Sequence, residues 1–241
     1  IHLASYNKFL DKNYFWRSYR VNTEGTSSLI ENLKIDHLKH FIYLSTYHVY
    51  GKNEGTITEE DRTNPLNDYA TSHLAAEFII RQHSFSSGLP ATIFRLTNSY
   101  GCPVNFNNVN WDLILNNLAM MAIKEKKLIL KSSPNIKRDF ICMSDVANAL
   151  NEFISIKNPK NSGNIFNLSY GKSISLLDAA EEIRKAYLIY KGVEIPIEYK
   201  NNFNKSRNLI VDSSLIRKFI SFKPQFRLVE EAIKTFKLID L

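Results

Sequence analysis

Two cysteines, Cys102 and Cys142, are all that the 241-residue chain contains. They give neither a disulfide framework nor the paired spacing of a zinc site, so a reducing cytoplasm is the expected compartment. Its eight glycines stand at 25, 51, 55, 88, 101, 163, 171 and 192, without a cluster. No run of eighteen apolar residues occurs, so no transmembrane helix and no membrane partner are expected. The opening IHLASYNKFLDKN has no charged stretch followed by an apolar core, so it does not read as a signal peptide. It also lacks an initiator Met and begins mid-pattern. There is no Gly-x-Ser-x-Gly elbow, which argues against a serine hydrolase. His37 and His40 share a helix end without carboxylate or Cys partners, so no metal site is expected.

What is present is ordinary in amount. Hydrophobic residues make up 44% and charged residues 23%, typical of a globular chain with length for one large domain or two small ones. The net charge of +7 favours an anionic ligand, either a nucleotide diphosphate or nucleic acid. Lys is spread along the chain, and KEKK (124–127) reads as a solvated helix end, so no nucleic-acid partner is expected.

Short apolar runs alternate with segments of helical period. FIYLS (41–45), ATIFRL (91–96) and NIFNLS (164–169) read as buried strands. Helices are expected over about 22–38, carrying Leu29, Ile30, Leu33 and Ile35, and over 68–86, with an apolar stripe of Ala70, Leu74, Ala75, Phe78 and Ile79. Another is expected over 111–127, and Ser175-Leu-Leu-Asp178 reads as a capping box opening a further helix. Strands separated by helices imply a parallel sheet, whose ligands bind beyond the carboxyl ends of the strands. STYHVYG and TNSYG leave two such ends, and DYATSH (68–73) starts the helix between them. In that stretch Tyr69 and His73, four apart, share one helical face. Alone, such a pair is far more often structural than catalytic.

The neighbouring segments change that weighing. FIYLSTYHVYG followed by DYATSHLAAE resembles the extended short-chain dehydrogenase/reductases of the NAD-dependent epimerase/dehydratase family. VNTEGTSSLIE, RLTNSYG, KRDFICMSDVANAL, GNIFNLSYGKSISLLDAAEEI and DSSLIRKFISFKPQFRLVEEAI are similar to further segments of that family, in the right order over nearly the whole chain. The resemblance implies an α/β fold, a Rossmann-type doubly wound parallel sheet with a smaller C-terminal substrate-binding domain. Residues 1–98 would be the C-terminal part of the NAD(P)-binding domain and 99–241 mainly the substrate-binding domain, with about 138–172 returning to the first. It implies a sugar-nucleotide substrate, a transient 4-keto sugar, NAD or NADP as cofactor, and a homodimer when complete, formed through the two helices flanking FIYLS.

The same resemblance assigns roles. Tyr69 would be the general acid or base, Thr46 would hydrogen-bond the reacting sugar hydroxyl, and His73 would stand where the family has a lysine. Ala4 and Ser5 match the loop that passes the cofactor; Asn22 would either join that group or serve the structure alone. Asn98 would face the substrate, Arg138 its diphosphate, and Arg207, in a looser local match, the diphosphate as well. Two departures bear on activity. A free tyrosine titrates near 10, so bringing it near 7 needs about 4 kcal/mol, and a mostly neutral histidine supplies less charge than lysine. The family's Gly-x-x-Gly-x-x-Gly phosphate turn is also missing, so the chain reads as a fragment or truncated product lacking about three strand–helix units. Dehydratases of the family carry an acidic pair where Tyr47 and His48 stand here. The expected function is therefore a sugar-nucleotide epimerase. The alternatives are a 4-ketoreductase, a truncated non-catalytic homologue, and RNA binding supported by charge alone.

Overall fold

The computed structural model describes residues 1–7, 11–107, 109–156, 164–199 and 206–241; Gly163 lies outside them. The helices are α1 (Tyr14–Ser18), α2 (Gly25–Glu31), α3 (Asp68–Ser86), α4 (Ile114–Glu125), α5 (Met143–Ile154), α6 (Leu176–Lys191) and α7 (Leu228–Asp240). The strands are β1 (Phe41–Thr46), β2 (Gly55–Ile57), β3 (Ala91–Leu96), β4 (Asn98–Tyr100), β5 (Leu128–Leu130), β6 (Lys137–Cys142), β7 (Asn164–Leu168), β8 (Ser173–Ser175), β9 (Ile197–Tyr199) and β10 (Leu209–Val211).

The three apolar runs form one parallel sheet in the order β1-β3-β7, with Phe41 opposite Ala91 and Ile93 opposite Ile165. His2 extends this sheet beside β1 through His2 N–H to Ile42 O at 2.7 Å. Such strands are apolar on both faces because both faces are covered. Phe41, Tyr43, Ala91 and Ile93 pack with Ile30, Ala76 and Ile80 from α2 and α3. From the other face, Ile42, Phe94, Phe166 and Leu168 meet Val146, Ala149 and Phe153 of α5. A second cluster gathers α4, α6 and α7 around Leu118, Ala122, Ala180, Ile183 and Phe236. Parallel β4 and β6, the latter antiparallel to β8, connect the two regions.

Helix α3 spans the expected residues and is capped by Asn67, whose side chain accepts from Ala70 N–H at 2.9 Å. Its buried face differs from the expected apolar stripe. Ala70, Ser72, His73, Ala76, Glu77 and Ile80 are buried, whereas Phe78 is 57% exposed. A charge lies inward because Glu77 meets Arg95 in a two-pronged pair, at 3.0 Å from Nε and 2.6 Å from Nη2. Ser45 donates to the same carboxylate, and Arg95 stacks over Tyr50 at 4.6 Å. These contacts satisfy the ions that burial would otherwise penalise.

The helix expected over 22–38 begins earlier and ends sooner. It runs from Tyr14 through a π-helical turn, Tyr19–Glu24, into α2, and stops at Glu31; Ile35 lies on a separate 3-10 turn. Asn22 sits in the wide turn, wholly buried, its Oδ1 accepting from Tyr6 N–H at 2.8 Å and its Nδ2 donating to Ser72 Oγ at 3.0 Å. Helix α4 is shorter than expected at both ends: Leu113 is extended and opens it at Ile114, and Lys126 turns left-handed at φ 53° and closes it at Glu125. The capping box at Ser175 and Asp178 forms as expected, and α6 ends at left-handed Gly192.

Candidate active site

Beyond the carboxyl ends of β1 and β3 lies a cavity of about 210 Å³. Thr46 reaches it from the end of β1, Tyr69 from the first turn of α3, Asn98 from β4 and Arg138 from β6. These four sequence-predicted residues are therefore brought together. Tyr47, His48, Asn116, Asn7, Ser45, Thr97 and Ser99 complete the polar lining, and no Asp or Glu lines it among the described residues. Arg207 does not line the cavity; its backbone pairs with Ile136 and accepts from Lys137 N–H at 2.7 Å. Nor does Asn22, which instead ties the chain at Tyr6 to Ser72 of α3. Ala4 and Ser5 are exposed beside the sheet edge.

Tyr69 carries the central hydroxyl. Burial pushes its titration upward, while hydrogen bonds from Thr46 and Ser5 pull it back down. Thr46 is held in turn by the His48 N–H, at 3.2 Å from its Oγ1. His73 is 1% exposed and lies between Ser5 Oγ, 2.9 Å from Nε2, and Tyr43 Oη, 2.7 Å from Nδ1. Burial, then the neighbouring His2 and His48, lowers its pKa to about 4. Near neutral pH His73 is therefore uncharged.

Asn98 is aimed by its Nδ2, which donates to the Asp139 carbonyl at 2.9 Å. Asp139 organises this wall without entering the cavity. It accepts from Thr97 Oγ1 at 2.7 Å, Tyr170 N–H at 2.9 Å and Gly171 N–H at 2.7 Å, and burial still raises it to about 6. Sequence reasoning did not single out Tyr43 or Asp139. Asp139, beside Arg138 in KRDF, was within reach as part of a matched segment; nothing local marks Tyr43.

Burial lowers His73 and His48 alike to about 4, and lowers His2 and His40 as well, which should make the fold acid-sensitive. His73 binds a proton below about pH 4 when folded but near 6.5 when unfolded, so its contribution is complete above 6.5 and is lost as pH falls towards 4. From pH 7 to 5 this loss is about 2 kcal/mol. Asp139, raised from 3.8 to about 6, works the other way between those values and offsets part of it. Thermal melts across that range should show a falling midpoint, with a shallower slope in His73→Gln. An equal slope would remove His73 as the cause.

A family model, that of the NAD dependent epimerase/dehydratase family, matches residues 1–169. The chain belongs to this family. Among curated relatives, a dTDP-D-glucose 4,6-dehydratase of Dictyostelium discoideum is 30% identical over 198 residues, covering 76% of this chain and 43% of that protein. A dTDP-L-rhamnose 4-epimerase of Burkholderia thailandensis is 27% identical over 203 residues, covering 69% of this chain and 54% of that one. The chain thus spans about half the length of these relatives. A solved UDP-glucuronic acid 4-epimerase from Bacillus cereus, in complex with NAD, superposes with a TM-score of 0.83 at 20% identity, over 100% of this chain and 71% of that chain. That likeness establishes the epimerase/dehydratase fold, Rossmann-type and α/β. Among the described residues no helix is long and apolar enough to cross a membrane.

Proposed function

We propose that the chain carries the substrate-side catalytic machinery of a sugar-nucleotide epimerase that uses NAD or NADP. The observation behind this reading is the convergence of Thr46, Tyr69, Asn98 and Arg138 on one cavity. Tyr69 takes the proton of a sugar hydroxyl and later returns it. Thr46 holds that hydroxyl, Asn98 contacts the sugar, and Arg138 meets the diphosphate with its fork of N–H donors. NAD(P), when bound, accepts and returns the hydride. Ala4 and Ser5 are small and exposed, and Ser5 touches Tyr69, which suits the nicotinamide end. A cavity without carboxylate lining favours epimerisation over dehydration, which needs a further acid and base to eliminate water. We place the reaction in a reducing cytoplasm, as two free thiols, Cys102 and Cys142, suit.

The deciding measurement is cofactor balance. An epimerase interconverts two nucleotide sugars on a catalytic amount of NAD(P), whereas a 4-ketoreductase consumes NAD(P)H one for one. Absence of both activities would favour a non-catalytic homologue.

The 241 residues contain no Gly-rich turn to receive a pyrophosphate at a helix N-terminus. By itself this chain should bind NAD much more weakly than a relative that carries such a turn. Calorimetry giving a micromolar Kd would contradict that.

Self-association through α1–α2 and α3 completes the reading. Phe15, Trp16, Leu29 and Phe78 are 45%, 68%, 39% and 57% exposed on these helices. Light scattering should give a dimer that Trp16→Glu with Phe78→Glu converts to a monomer; a monomer at high concentration without those changes would exclude this surface.

A further inference from the structure

Behind Tyr69 runs a line of groups that the proton transfer just described leaves unused. The His73 ring stands edge-on to the Tyr69 ring, centroids 4.6 Å apart. Its two nitrogens are engaged by Ser5 and Tyr43 at 2.9 and 2.7 Å. The direction of each hydrogen bond follows from what each group must do with its proton. Tyr43 is fully buried, and burial holds its phenol protonated. Its O–H meets His73 Nδ1, so that nitrogen accepts. A neutral imidazole with an accepting Nδ1 carries its hydrogen on Nε2, which therefore donates to Ser5 Oγ. The Ser5 hydrogen is then directed away from His73, and its hydrogen-bond neighbour there is Tyr69.

We propose that Ser5 is a catalytic residue that donates its hydroxyl hydrogen to the Tyr69 oxygen as phenolate forms, held in that direction by the Nε2–H of His73, whose tautomer Tyr43 fixes. His73 and Tyr43 are positioning residues. Ser5 keeps its proton throughout; the proton that moves passes between the sugar hydroxyl and Tyr69 alone. The line supplies by oriented donors part of what a buried positive charge would supply. The inference rests on Tyr69 being the acid/base group of the proposed reaction.

The test reads the Tyr69 proton directly. A ring-fluorinated tyrosine placed at position 69 of the full chain ionises well below the other tyrosines, so its absorbance titrates alone. The titratable groups facing Tyr69 or His73 are His2, Tyr14, Tyr43, Tyr47 and His48, with Asp68 beside Tyr14 and Glu77 beside Tyr43. All but Tyr43 are the same in every variant used, and Tyr43 changes only in Tyr43→Phe. Ser5→Ala should raise the midpoint by about one to two pH units, the worth of one hydrogen bond to an ionised oxygen. Ser5→Thr should restore it, and Tyr43→Phe should raise it by less. Nitrogen-15 spectra of labelled histidine, with His73 assigned from His73→Gln, should show hydrogen on Nε2 in the unaltered chain and a mixture in Tyr43→Phe. A midpoint unmoved by Ser5→Ala, or hydrogen on Nδ1 in the unaltered chain, would overturn the proposal. If the midpoint shifts as stated but no variant turns over a nucleotide sugar, the donor line stands and the epimerase reading falls.

Discussion

Tyr69→Phe should reduce turnover of a nucleotide sugar by about a thousandfold or more, because it removes from the cavity the hydroxyl that we assign to proton transfer. The loss should lie in kcat, with little change in substrate affinity, since the ring stays and only the hydroxyl goes. Thr46→Val removes one hydrogen bond to the reacting hydroxyl and should cost about a hundredfold. His73→Lys should act in the opposite direction. A charge one helical turn from Tyr69 is worth a few kcal/mol at the effective dielectric of a partly buried site, roughly 3 kcal/mol at 5 Å. It would draw the phenolic pKa down and raise turnover at neutral pH. These assays supply NAD(P) and read the interconversion of nucleotide sugars. Unchanged turnover in Tyr69→Phe would remove Tyr69 from the mechanism.

The largest effect on stability is expected at Arg95. Its side chain is 4% exposed and its partner Glu77 2%, so deleting one leaves the other as an uncompensated interior charge. Arg95→Met should destabilise the fold by about 3–5 kcal/mol, a fall in Tm of roughly 10 °C for a domain of this size. Replacing both residues with Met and Leu should cost much less than either change alone, because two buried ions leave together. Thermal denaturation of the two single variants and the double variant gives the comparison. Additive losses would mean that the pair contributes through packing rather than charge.

The parallel sheet was legible because β1, β3 and β7 are apolar on both faces and are bounded by polar segments. Helix α3 was legible because Asn67 and Asp68 open it. Its interior face was not, since apolar periodicity counts Phe78 as core and Glu77 as surface. The ion pair that reverses this is made by a residue on the next strand. The same limit hid Tyr43 and Asp139. Ser5, Tyr43 and His73 are far apart in sequence, and Asp139 meets Thr97 and Gly171 only through the fold. Thr46, Tyr69, Asn98 and Arg138, which line one cavity, were named from the sequence because ordered motifs carry them, not because any one of them is unusual locally.

The π-helical turn before α2 has a consequence for how that helix is phased. Ser18, Asn22, Thr26 and Ile30 are all buried, at an even spacing of four. In a regular α-helix each residue advances about 100°, so a spacing of four drifts about 40° per step, and Ser18 would stand about 120° from Ile30. One extra residue accommodated in the wide turn cancels most of that drift. The inward line is thus straight only because the helix slips phase once. The slip also separates Trp16 from Ile30, which an unbroken helix would set about 40° apart on one face, although one is 68% exposed and the other 1%. Deleting a single residue between 19 and 24 would restore ordinary winding and turn everything upstream by about a quarter revolution. The aromatic edge at Phe15 and Trp16 and the Asn22 tether to Tyr6 therefore depend on chain length across that turn as much as on side-chain identity.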